Sequence, residues 1–359
     1  MMMKFAILGG GHGGVAMSAH LTLEGHQVNL FQVPEFEKQF ARIKETQTVE
    51  LSGVAGEGSV RLRCATTDIA EAMEDVEHVL IVVPAFAQAR MADLCGPYIK
   101  SGQFVYVIPG GFGSLIVYRK LQKSGAGKDI VVAETSTLPY GARMTGENSV
   151  IVHIRTVNLP MGALPAGKTE EAASLLQQIF PEVSPCKNIL DAALSNTNPV
   201  IHVAPSILNT GRIEYADDFF LYKEGMTPSV RKVMVAADRE RVAVRKACEL
   251  AEPHYQLDPD SNDVFRDQFG SGALEAGKKM RGPLAMTERF ITEDVPYGLV
   301  FYSSLGSLAG VETPTCDALI YLASTFNETD YKKEGRTLEE LELDGWELGQ
   351  LLRFLEKGE

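Results

Sequence analysis

The chain has 359 residues, of which 45% are hydrophobic and 23% are charged, and its formal net charge at pH 7 is −13. This composition is typical of a soluble globular protein with about two to three domains and a large apolar core. The acidic balance and the lack of a dense Lys/Arg run argue against nucleic acid and against an anionic membrane surface as partners.

The cysteine pattern and the apolar runs bear on metal binding and location. Five cysteines are scattered along the sequence, and they form neither a CxxC motif nor a metal-ligand spacing. We therefore expect no metal site and reduced thiols, as in a cytoplasmic protein. The N-terminal run "FAILGGG" is too short for the apolar region of a signal peptide, and no stretch approaches the roughly 20 apolar residues of a membrane-spanning helix.

The first half of the chain alternates predicted strands and helices. "KFAIL", "QVNLF", "HVLIVVPA", "QFVYVIPGG" and "DIVVAETST" are apolar runs bounded by glycine, proline or polar residues, which is typical of strands covered on both faces. Helical segments lie between them. "TVELSG" and "VRLRCAT" suggest a hairpin insertion, and "NSVIVHIR" with the run after it predicts two strands that close the domain. The alternation predicts an α/β fold with a doubly wound parallel sheet of the Rossmann type.

The glycine-rich loop in "ILGGGHGGVA" has the spacing Gly9-x-Gly11-x-x-Gly14 and lies between the first strand and the first helix. In that context the first glycine permits a tight turn, the second lets the backbone approach a pyrophosphate, and the third lets helix and strand pack closely. The helix N-terminus offers its N–H groups to the phosphates. The loop therefore predicts a dinucleotide site, with His12 as a further candidate contact.

The end of the second strand leaves the choice between NAD and NADP open. Gln32 lies where an acidic residue would bind the ribose diol of NAD. A glutamine can hydrogen-bond a ribose and does not repel a 2′-phosphate. Lys38 and Arg42 on the next helix either approach such a phosphate or form a solvated helix face. Because ligands bind beyond the carboxyl ends of the strands, Val83 and Pro84 are further candidate cofactor contacts.

The character of the sequence changes after the proline-marked stretch "FPEVSPCKN". From Ile189 onward helical periodicity dominates, so we place a domain boundary near residue 185. Residues 1–185 are predicted to be the dinucleotide-binding domain, and residues 186–359 a mostly α-helical domain for substrate binding and catalysis. The tail "TLEELELDGWELGQLLRFLEKG" is predicted to be helical, with Thr337 and Glu340 as a capping box.

His202 is the histidine of the second domain that lies in an apolar helical stretch, "NPVIHVAPSIL". Asn198 and Pro199 suit a helix start, and Asn198 shares a face with His202. Pro205 removes a helical hydrogen bond and predicts a kink beside the histidine. A histidine titrates near neutrality and suits the proton transfer that accompanies nicotinamide chemistry. These residues alone leave two interpretations, a buried core histidine and a catalytic one.

Several segments in order resemble the opine dehydrogenase family, which includes octopine, nopaline and N-(1-carboxyethyl)-norvaline dehydrogenases. They are the glycine loop, "SNTNPVIH", "YKEGMTPSV", "TERFITEDVPYGLV" and "YKKEGRTLEEL". The resemblance implies a Rossmann domain followed by a helical domain. It also implies NAD(P)H-dependent reductive condensation of an α-keto acid, such as pyruvate, with the amino group of an amino acid through an imine.

The same resemblance assigns catalytic roles in the second domain. The histidine of the family falls on His202, and its aspartate and arginine fall on Asp294 and Arg289 in "RFITED". His202 would act as the acid and base, Asp294 would orient its ring, and Arg289 would bind a substrate carboxylate as a planar fork. Asp294 reaches His202 only if the chain turns between Arg289 and Pro296.

Further candidates surround these positions. Glu134 ends a predicted strand near the expected nicotinamide site and is a candidate cofactor contact. Asn198, Tyr222 and Tyr140 are candidate substrate contacts, with a structural role as the alternative for each.

Two other functions are compatible with the layout. One is a reductase of a 2-keto acid alone, of the ketopantoate reductase type, which carries a lysine at the start of its second domain; "LDAALSNTNPVIH" has none. The other is a non-catalytic NAD(P)-binding sensor, which would not need the set of histidine, aspartate and arginine. A homodimer, the commonest assembly of soluble proteins, is the expected oligomer.

Overall fold

The structure is a computed structural model that describes residues 2–125, 129–261, 263–270 and 273–358. The chain divides into two compact units: unit 1 comprises residues 1–193 and 355–359, and unit 2 comprises residues 194–354. The predicted boundary near residue 185 lies eight residues before this division, and the roles predicted for the two domains remain predictions.

Unit 1 contains all the strands of the described residues. Apolar runs form them as predicted: Phe5 to Leu8, for example, are at most 2% exposed, because both faces of the sheet are covered. The strands are β1 Lys4–Leu8, β2 Gln27–Phe31, β3 Thr48–Gly53, β4 Gly58–Arg61, β5 Cys64–Thr66, β6 His78–Ile81, β7 Phe104–Val107, β8 Val131–Thr135, β9 Tyr140–Met144, β10 Ser149–Arg155, β11 Leu159–Leu164 and β12 Val183–Pro185.

The main sheet has eight strands in the order β12-β11-β8-β7-β6-β1-β2-β5. From β5 to β8 all neighbours are parallel, and β11 runs antiparallel to β8. The parallel part has the strand order of a doubly wound dinucleotide-binding fold, in which the chain reverses its direction of travel between β1 and β6. The predicted Rossmann-type sheet is therefore confirmed.

A second sheet has four strands in the order β4-β3-β10-β9. The predicted hairpin is present in part: β3 pairs in antiparallel fashion with β4, which contains the first two residues of "VRLRCAT", whereas the last three residues of that run form β5 of the main sheet. The two strands predicted from "NSVIVHIR" and the run after it are present as β10 and β11, but only β11 joins the main sheet. Strand β10 pairs with β3 and β9 instead, so that Val150 and Val152 are buried in the layer between the second sheet and the helix that follows β1.

The helices of unit 1 cover the main sheet and those of unit 2 pack on one another. They are α1 His12–Leu23, α2 Glu37–Thr46, α3 Ile69–Ala72, α4 Gln88–Cys95, α5 Gly113–Lys123, α6 Thr169–Leu176, α7 Ile189–Leu194, α8 Asn198–Leu208, α9 Thr210–Tyr215, α10 Pro228–Ala247, α11 Arg266–Phe269, α12 Ala273–Gly277, α13 Arg289–Thr292, α14 Val300–Ala309, α15 Pro314–Phe326, α16 Tyr331–Glu334 and α17 Leu348–Lys357. No helix of the described ranges combines the length and the apolar character that crossing a membrane requires.

The long helix α10 is the centre of unit 2 and packs against α8, α14 and α15. Its buried Arg241 pairs with Asp238 at 2.8 Å and donates to the carbonyl groups of Leu194, His254 and Tyr255. Paired and hydrogen-bonded in this way, a buried guanidinium is tolerated. The network ties the loop after α10 and the segment before α8 to one helix.

The predicted helical tail begins later than expected. The Thr337 hydroxyl accepts a hydrogen bond from the Glu340 backbone N–H at 3.1 Å, but it closes a turn and not a helix. Left-handed backbone at Glu342 (φ 53°) and Gly345 (φ 73°) stops helix propagation. The chain becomes helical at α17.

Candidate active site

His202 lies in the middle of α8 with its side chain 13% exposed. Asn198 and Pro199, the predicted helix start, are the first two residues of α8, and Thr197 is the N-cap residue. Pro205 lies inside the helix as expected, and Ser206 Oγ donates to the His202 carbonyl oxygen at 2.7 Å. The apolar neighbours of His202 in sequence face the core and are buried, so the imidazole is on the more open side of α8.

Both ring nitrogens of His202 have a partner. Nδ1 is 2.8 Å from Asp294 Oδ2, and Nε2 is 2.8 Å from the hydroxyl of Tyr222. The ring of Phe290 is stacked on the imidazole, with centroids 4.3 Å apart and planes at 20°. A carboxylate at Nδ1 selects the tautomer with a proton on Nδ1, which leaves Nε2 as the acceptor of the Tyr222 O–H.

The two partners of His202 are held by π-helical turns, Leu221–Gly225 and Val295–Leu299. Tyr222 lies in the first turn, and Asp294 directly precedes the second. Such turns are rare and frequently occur at functional sites. In both cases the irregular backbone places one polar side chain opposite the same imidazole.

Each π-helical turn is stabilised by its own charged side chain. The Glu224 carboxylate accepts a hydrogen bond from the Phe220 N–H at 3.0 Å and pairs with Arg212. The second turn is contacted by the buried Arg336. Its guanidinium lies 5.1 Å from the centre of the Tyr297 ring, and the backbone N–H of Arg336 donates to the Pro296 carbonyl at 2.8 Å.

Asp294 and Arg289, for which different catalytic roles were predicted, have different partners in the structure. Helix α13 ends at Thr292, and this turn of the chain brings Asp294 to His202. The Arg289 side chain is 74% exposed and pairs with Glu293 instead. The structure thus brings two of the three predicted catalytic residues together and leaves the third at the surface of unit 2.

The predicted substrate contacts lie in different places. Tyr222 contacts His202, and the half-buried Asn198 lies one helical turn before His202 in α8. Tyr140 does not fit the prediction. It is 4% exposed within unit 1, its hydroxyl is 2.6 Å from His20 Nδ1, and its ring packs edge-on against Phe180. This is a core position, because "YGARM" forms β9 of the second sheet.

The glycine loop in unit 1 has the geometry that a dinucleotide needs. Gly9 has φ +130°, and a Cβ added there would lie 2.2 Å from the Val82 carbonyl oxygen. A Cβ on Gly14 would lie 1.8 Å from the Gly9 carbonyl oxygen, whereas a Cβ on Gly11 would meet nothing within 4 Å. Two glycines therefore permit close backbone packing, and the third keeps the N-terminus of α1 open to a phosphate.

The other predicted cofactor residues surround this loop. Gln32 follows β2, and its side chain points towards the glycine loop. Its Oε1 accepts a hydrogen bond from the Val33 N–H at 3.0 Å, and its Nε2 would be 3.0 Å from a Cβ added to Gly10. His12 is exposed at the first position of α1. Val83 and Pro84, beyond β6, are partly buried, and Val83 lies against Gly9.

Glu134 does not fit a direct cofactor contact. It is fully buried at the end of β8, where its carboxylate accepts hydrogen bonds from the Phe112 N–H at 3.0 Å, the Ser114 N–H at 3.3 Å and the Ser114 hydroxyl. A negative charge at this place stabilises the N-terminus of α5. The residue therefore positions the loop after β7. Its strand-end location was visible in the sequence, but its orientation was not.

Sequence reasoning missed three contacts of the histidine site. The hydrogen bond between Tyr222 and His202 was not predicted, nor were the Phe290 stacking and the position of Arg336 under the second π-helical turn. Tyr222 was predicted as a substrate contact and not as a partner of His202, and Arg336 was noted only as a member of a family-like segment. In the described ranges no cluster of histidine, cysteine and carboxylate side chains has a metal-binding arrangement.

Comparisons with known proteins agree with both parts of this description. Residues 185–327 match the family described as NAD/NADP octopine/nopaline dehydrogenase, alpha-helical domain, and residues 4–132 match the NAD-dependent glycerol-3-phosphate dehydrogenase N-terminus. The chain is 34% identical to the opine dehydrogenase of Arthrobacter sp. (strain 1C) over 354 residues, 95% of each sequence. The chain belongs to the opine dehydrogenase family. It is therefore an NAD(P)-dependent oxidoreductase that acts on CH–NH donors.

Solved structures share the fold of this opine dehydrogenase family member. Octopine dehydrogenase with NADH and pyruvate has a TM-score of 0.75 at 21% identity over 98% of both chains. Yersinopine dehydrogenase with NADP⁺ has a TM-score of 0.72 at 15% identity over 99% of this chain and 98% of the other. The predicted fold class, a Rossmann-type domain followed by a helical domain, is confirmed. Because one of these two structures contains NADH and the other NADP⁺, the choice between NAD and NADP stays open for this chain.

Proposed function

We propose that this opine dehydrogenase family member condenses an α-keto acid such as pyruvate with the amino group of an amino acid and reduces the resulting imine, with His202 as the acid and base. The observation that carries the proposal is the set of contacts Asp294–His202–Tyr222 at 2.8 Å each. All three residues belong to unit 2 and to the segment that matches the family's helical domain.

The hydrogen bonds define what His202 does with a proton. The Asp294 carboxylate accepts a hydrogen bond from the Nδ1–H group of His202. The lone pair is therefore on Nε2, which accepts a hydrogen bond from the Tyr222 hydroxyl. When Nε2 takes up a proton, the neighbouring carboxylate stabilises the imidazolium that forms, as in other histidine–carboxylate pairs. The stack on Phe290 restricts the ring to this orientation. His202 is thereby prepared to accept and return protons at Nε2.

Formation of the imine needs such transfers in both directions. The amino acid must lose a proton before its nitrogen attacks the keto carbon, and the carbinolamine must gain a proton on its hydroxyl before water leaves. We assign both transfers to Nε2 of His202, directly or through the Tyr222 hydroxyl that adjoins it. NADH or NADPH, when bound, supplies the hydride that reduces the imine carbon.

The residues of unit 1 that fit the dinucleotide are Gly9, Gly11 and Gly14, with Gln32 and His12 beside them. The open position of Gly11 at the N-terminus of α1 supports the placement of the pyrophosphate there. In unit 2 we assign a substrate carboxylate to the exposed guanidinium of Arg289, which suits bidentate binding.

An assay of reduced-cofactor consumption tests the proposal. The protein is mixed with NADH or NADPH, pyruvate and a panel of amino acids, and absorbance of the reduced cofactor is followed. Consumption that requires both organic substrates is the expected result. Consumption with the keto acid alone would support the ketopantoate reductase type, and cofactor binding without any consumption would support a sensor. Homodimerisation and location in the cytoplasm remain predictions.

A further inference from the structure

The lone pair of His202 Nε2, on which the proposed proton transfers depend, is already engaged by a group of the protein. The Tyr222 hydroxyl lies 2.8 Å from Nε2. Asp294 occupies the Nδ1 edge at 2.8 Å, and the Phe290 ring is stacked on one face of the imidazole. Because the lone pair lies in the plane of the ring, a substrate over the other face does not meet it. A substrate therefore exchanges a proton with Nε2 only if Tyr222 moves away or passes the proton on.

The π-helical turn that carries Tyr222 is held at both ends. Directly before it, the Phe219 carbonyl accepts a hydrogen bond from the Gly282 N–H at 2.7 Å. At its end, the Gly225 carbonyl accepts one from Asn209 Nδ2 at 2.9 Å. Asn209 directly follows α8, so the turn is tied to the helix that carries the imidazole. These contacts oppose movement of the turn away from α8.

The side chain of Tyr222 is restrained as well. It is 9% exposed, and its ring packs edge-on against Phe265 with centroids 4.6 Å apart. Inside the turn, the Glu224 carboxylate accepts a hydrogen bond from the Phe220 N–H at 3.0 Å and from Arg212 Nε at 3.2 Å. Rotation of the phenol away from Nε2 would break the ring contact and the hydrogen bond together. The hydroxyl is therefore a fixed part of the site.

A tyrosine hydroxyl at this place can transmit a proton. It has one O–H donor and two acceptor lone pairs, so it can accept from a substrate N–H or O–H while it donates to an imidazole. Hydrogen bonds in such a chain polarise and strengthen one another. No phenolate has to form, because the oxygen gains one proton as it loses another.

We propose that Tyr222 is a catalytic residue: its hydroxyl is the atom that exchanges protons with the substrates, and His202 stores the proton behind it. The assignment rests on the proposed function for the reaction and excludes the direct route to Nε2. In the first step, a proton of the substrate ammonium moves to the Tyr222 oxygen while the Tyr222 proton moves to Nε2. The amine becomes neutral, and the imidazolium is stabilised by Asp294.

The same pair returns the proton during loss of water. The amine lone pair forms the C–N bond as the π bond of the keto group breaks, and a shift of one proton from nitrogen to oxygen gives the carbinolamine. The imidazolium of His202 then gives its proton to the Tyr222 oxygen, while the Tyr222 proton moves to the carbinolamine hydroxyl. The C–O bond breaks, water leaves, and the nitrogen lone pair forms the C=N bond of the iminium ion. Both residues end in the state in which they began.

Tyr222→Phe tests the relay, because it removes the hydroxyl and keeps the ring that packs on Phe265. In the assay with reduced cofactor, pyruvate and the amino-acid panel, kcat should fall by about 10²-fold, as expected for loss of a general acid–base group. The Tm and the affinity for reduced cofactor should stay close to those of the wild type. Tyr215→Phe, at a 91% exposed position, is the control and should keep full activity. A kcat of Tyr222→Phe equal to that of the wild type would overturn the relay.

An isotope effect separates a relay from mere support of the site. The Tyr222→Phe reaction is followed with reduced cofactor that carries deuterium at C4 of the nicotinamide. If the proton steps have become slow, kcat of the variant should be the same with the deuterated and the ordinary cofactor. A variant that is slowed because the site is distorted would have slow hydride transfer, and kcat would fall on deuteration. That fall would overturn the assignment.

The double variant His202→Ala/Tyr222→Phe shows whether the two residues act as one unit. Residues that do so have non-additive effects. The double variant should therefore be as active as His202→Ala alone, whereas multiplied losses would contradict the relay. A wild type that consumes no reduced cofactor with any pair of substrates would refute the condensation and the relay together. An active wild type with a fully active Tyr222→Phe would refute the relay only.

Discussion

The glycine loop of unit 1 and the histidine site of unit 2 are built in opposite ways. The loop is local: six consecutive residues, 9–14, which follow β1 and include the first three residues of α1, contain every glycine that the geometry requires. The histidine site joins side chains that are 20 and 92 residues from His202 in sequence, and both partners lie at π-helical turns. A local site is visible in a sequence, whereas a site assembled from irregular helices depends on the packing of the whole unit.

The largest effect is expected from removal of His202, the residue at the centre of the histidine site. In His202→Ala, kcat should fall by roughly 10³-fold, because general acid–base catalysis contributes about 10²–10⁴-fold. The affinity for reduced cofactor, measured by fluorescence titration, should not change, since the glycine loop belongs to the other unit. His153→Ala, at an exposed position on β10, is the matched control. Turnover retained in His202→Ala would refute the proposed role.

Unit 1 should respond to acid through a histidine that does not take part in the proposed reaction. Burial, assisted by the charge of Arg155, lowers the pKa of His20 from 6.5 to about 4. The unfolded chain binds a proton on the His20 imidazole more tightly than the folded protein does. The free energy of unfolding therefore has its full value above about pH 6.5 and decreases as the pH falls towards 4. The expected decrease in the free energy of unfolding is about 3 kcal/mol. Urea unfolding at several pH values should show a steeper decline for the wild type than for His20→Gln, and parallel declines would contradict the assignment.

Two glycine substitutions separate packing from ligand binding within the loop. Gly14→Ala places a Cβ against the Gly9 carbonyl, so it should cost about 1–3 kcal/mol of stability and also weaken dinucleotide binding. Gly11→Ala meets no protein atom, so its Tm should equal that of the wild type while the Kd for the dinucleotide rises about tenfold. Thermal unfolding and fluorescence titration of both variants test this contrast. Equal Tm losses would show that Gly11 is a packing residue.

The smallest expected effect concerns cofactor choice. In Gln32→Asp an acid at the end of β2 can bind the ribose diol of NADH and repels the 2′-phosphate of NADPH. The ratio of the two dissociation constants should shift towards NADH by about tenfold, or ~1.4 kcal/mol. Titration of both reduced cofactors measures the ratio, with Gln27→Asp at the start of the same strand as a control. An unchanged ratio would exclude residue 32 from the ribose site.

The same contrast explains how much the sequence could reveal. The parallel strands and the glycine loop follow from short patterns, and both were predicted. Whether Asp294 reaches His202 depended on where α13 ends, and the separate path of Arg289 depended on its contact with Glu293. The sequence did not show that Tyr140 and Glu134 point into the interior of unit 1, because a position near the end of a strand does not determine which way a side chain points. Neither π-helical turn has a recognisable sequence signature.

The π-helical turns also make the histidine site sensitive to chain length. In an ordinary α-helix each residue rotates the next side chain by about 100° and advances it by about 1.5 Å. Deleting one residue from Leu221–Gly225 would turn the segment before it relative to the segment after it and remove the Tyr222 hydroxyl from Nε2 of His202. Insertions and deletions in these two five-residue segments should therefore be far less acceptable than substitutions, even where every side chain that contacts the imidazole is kept.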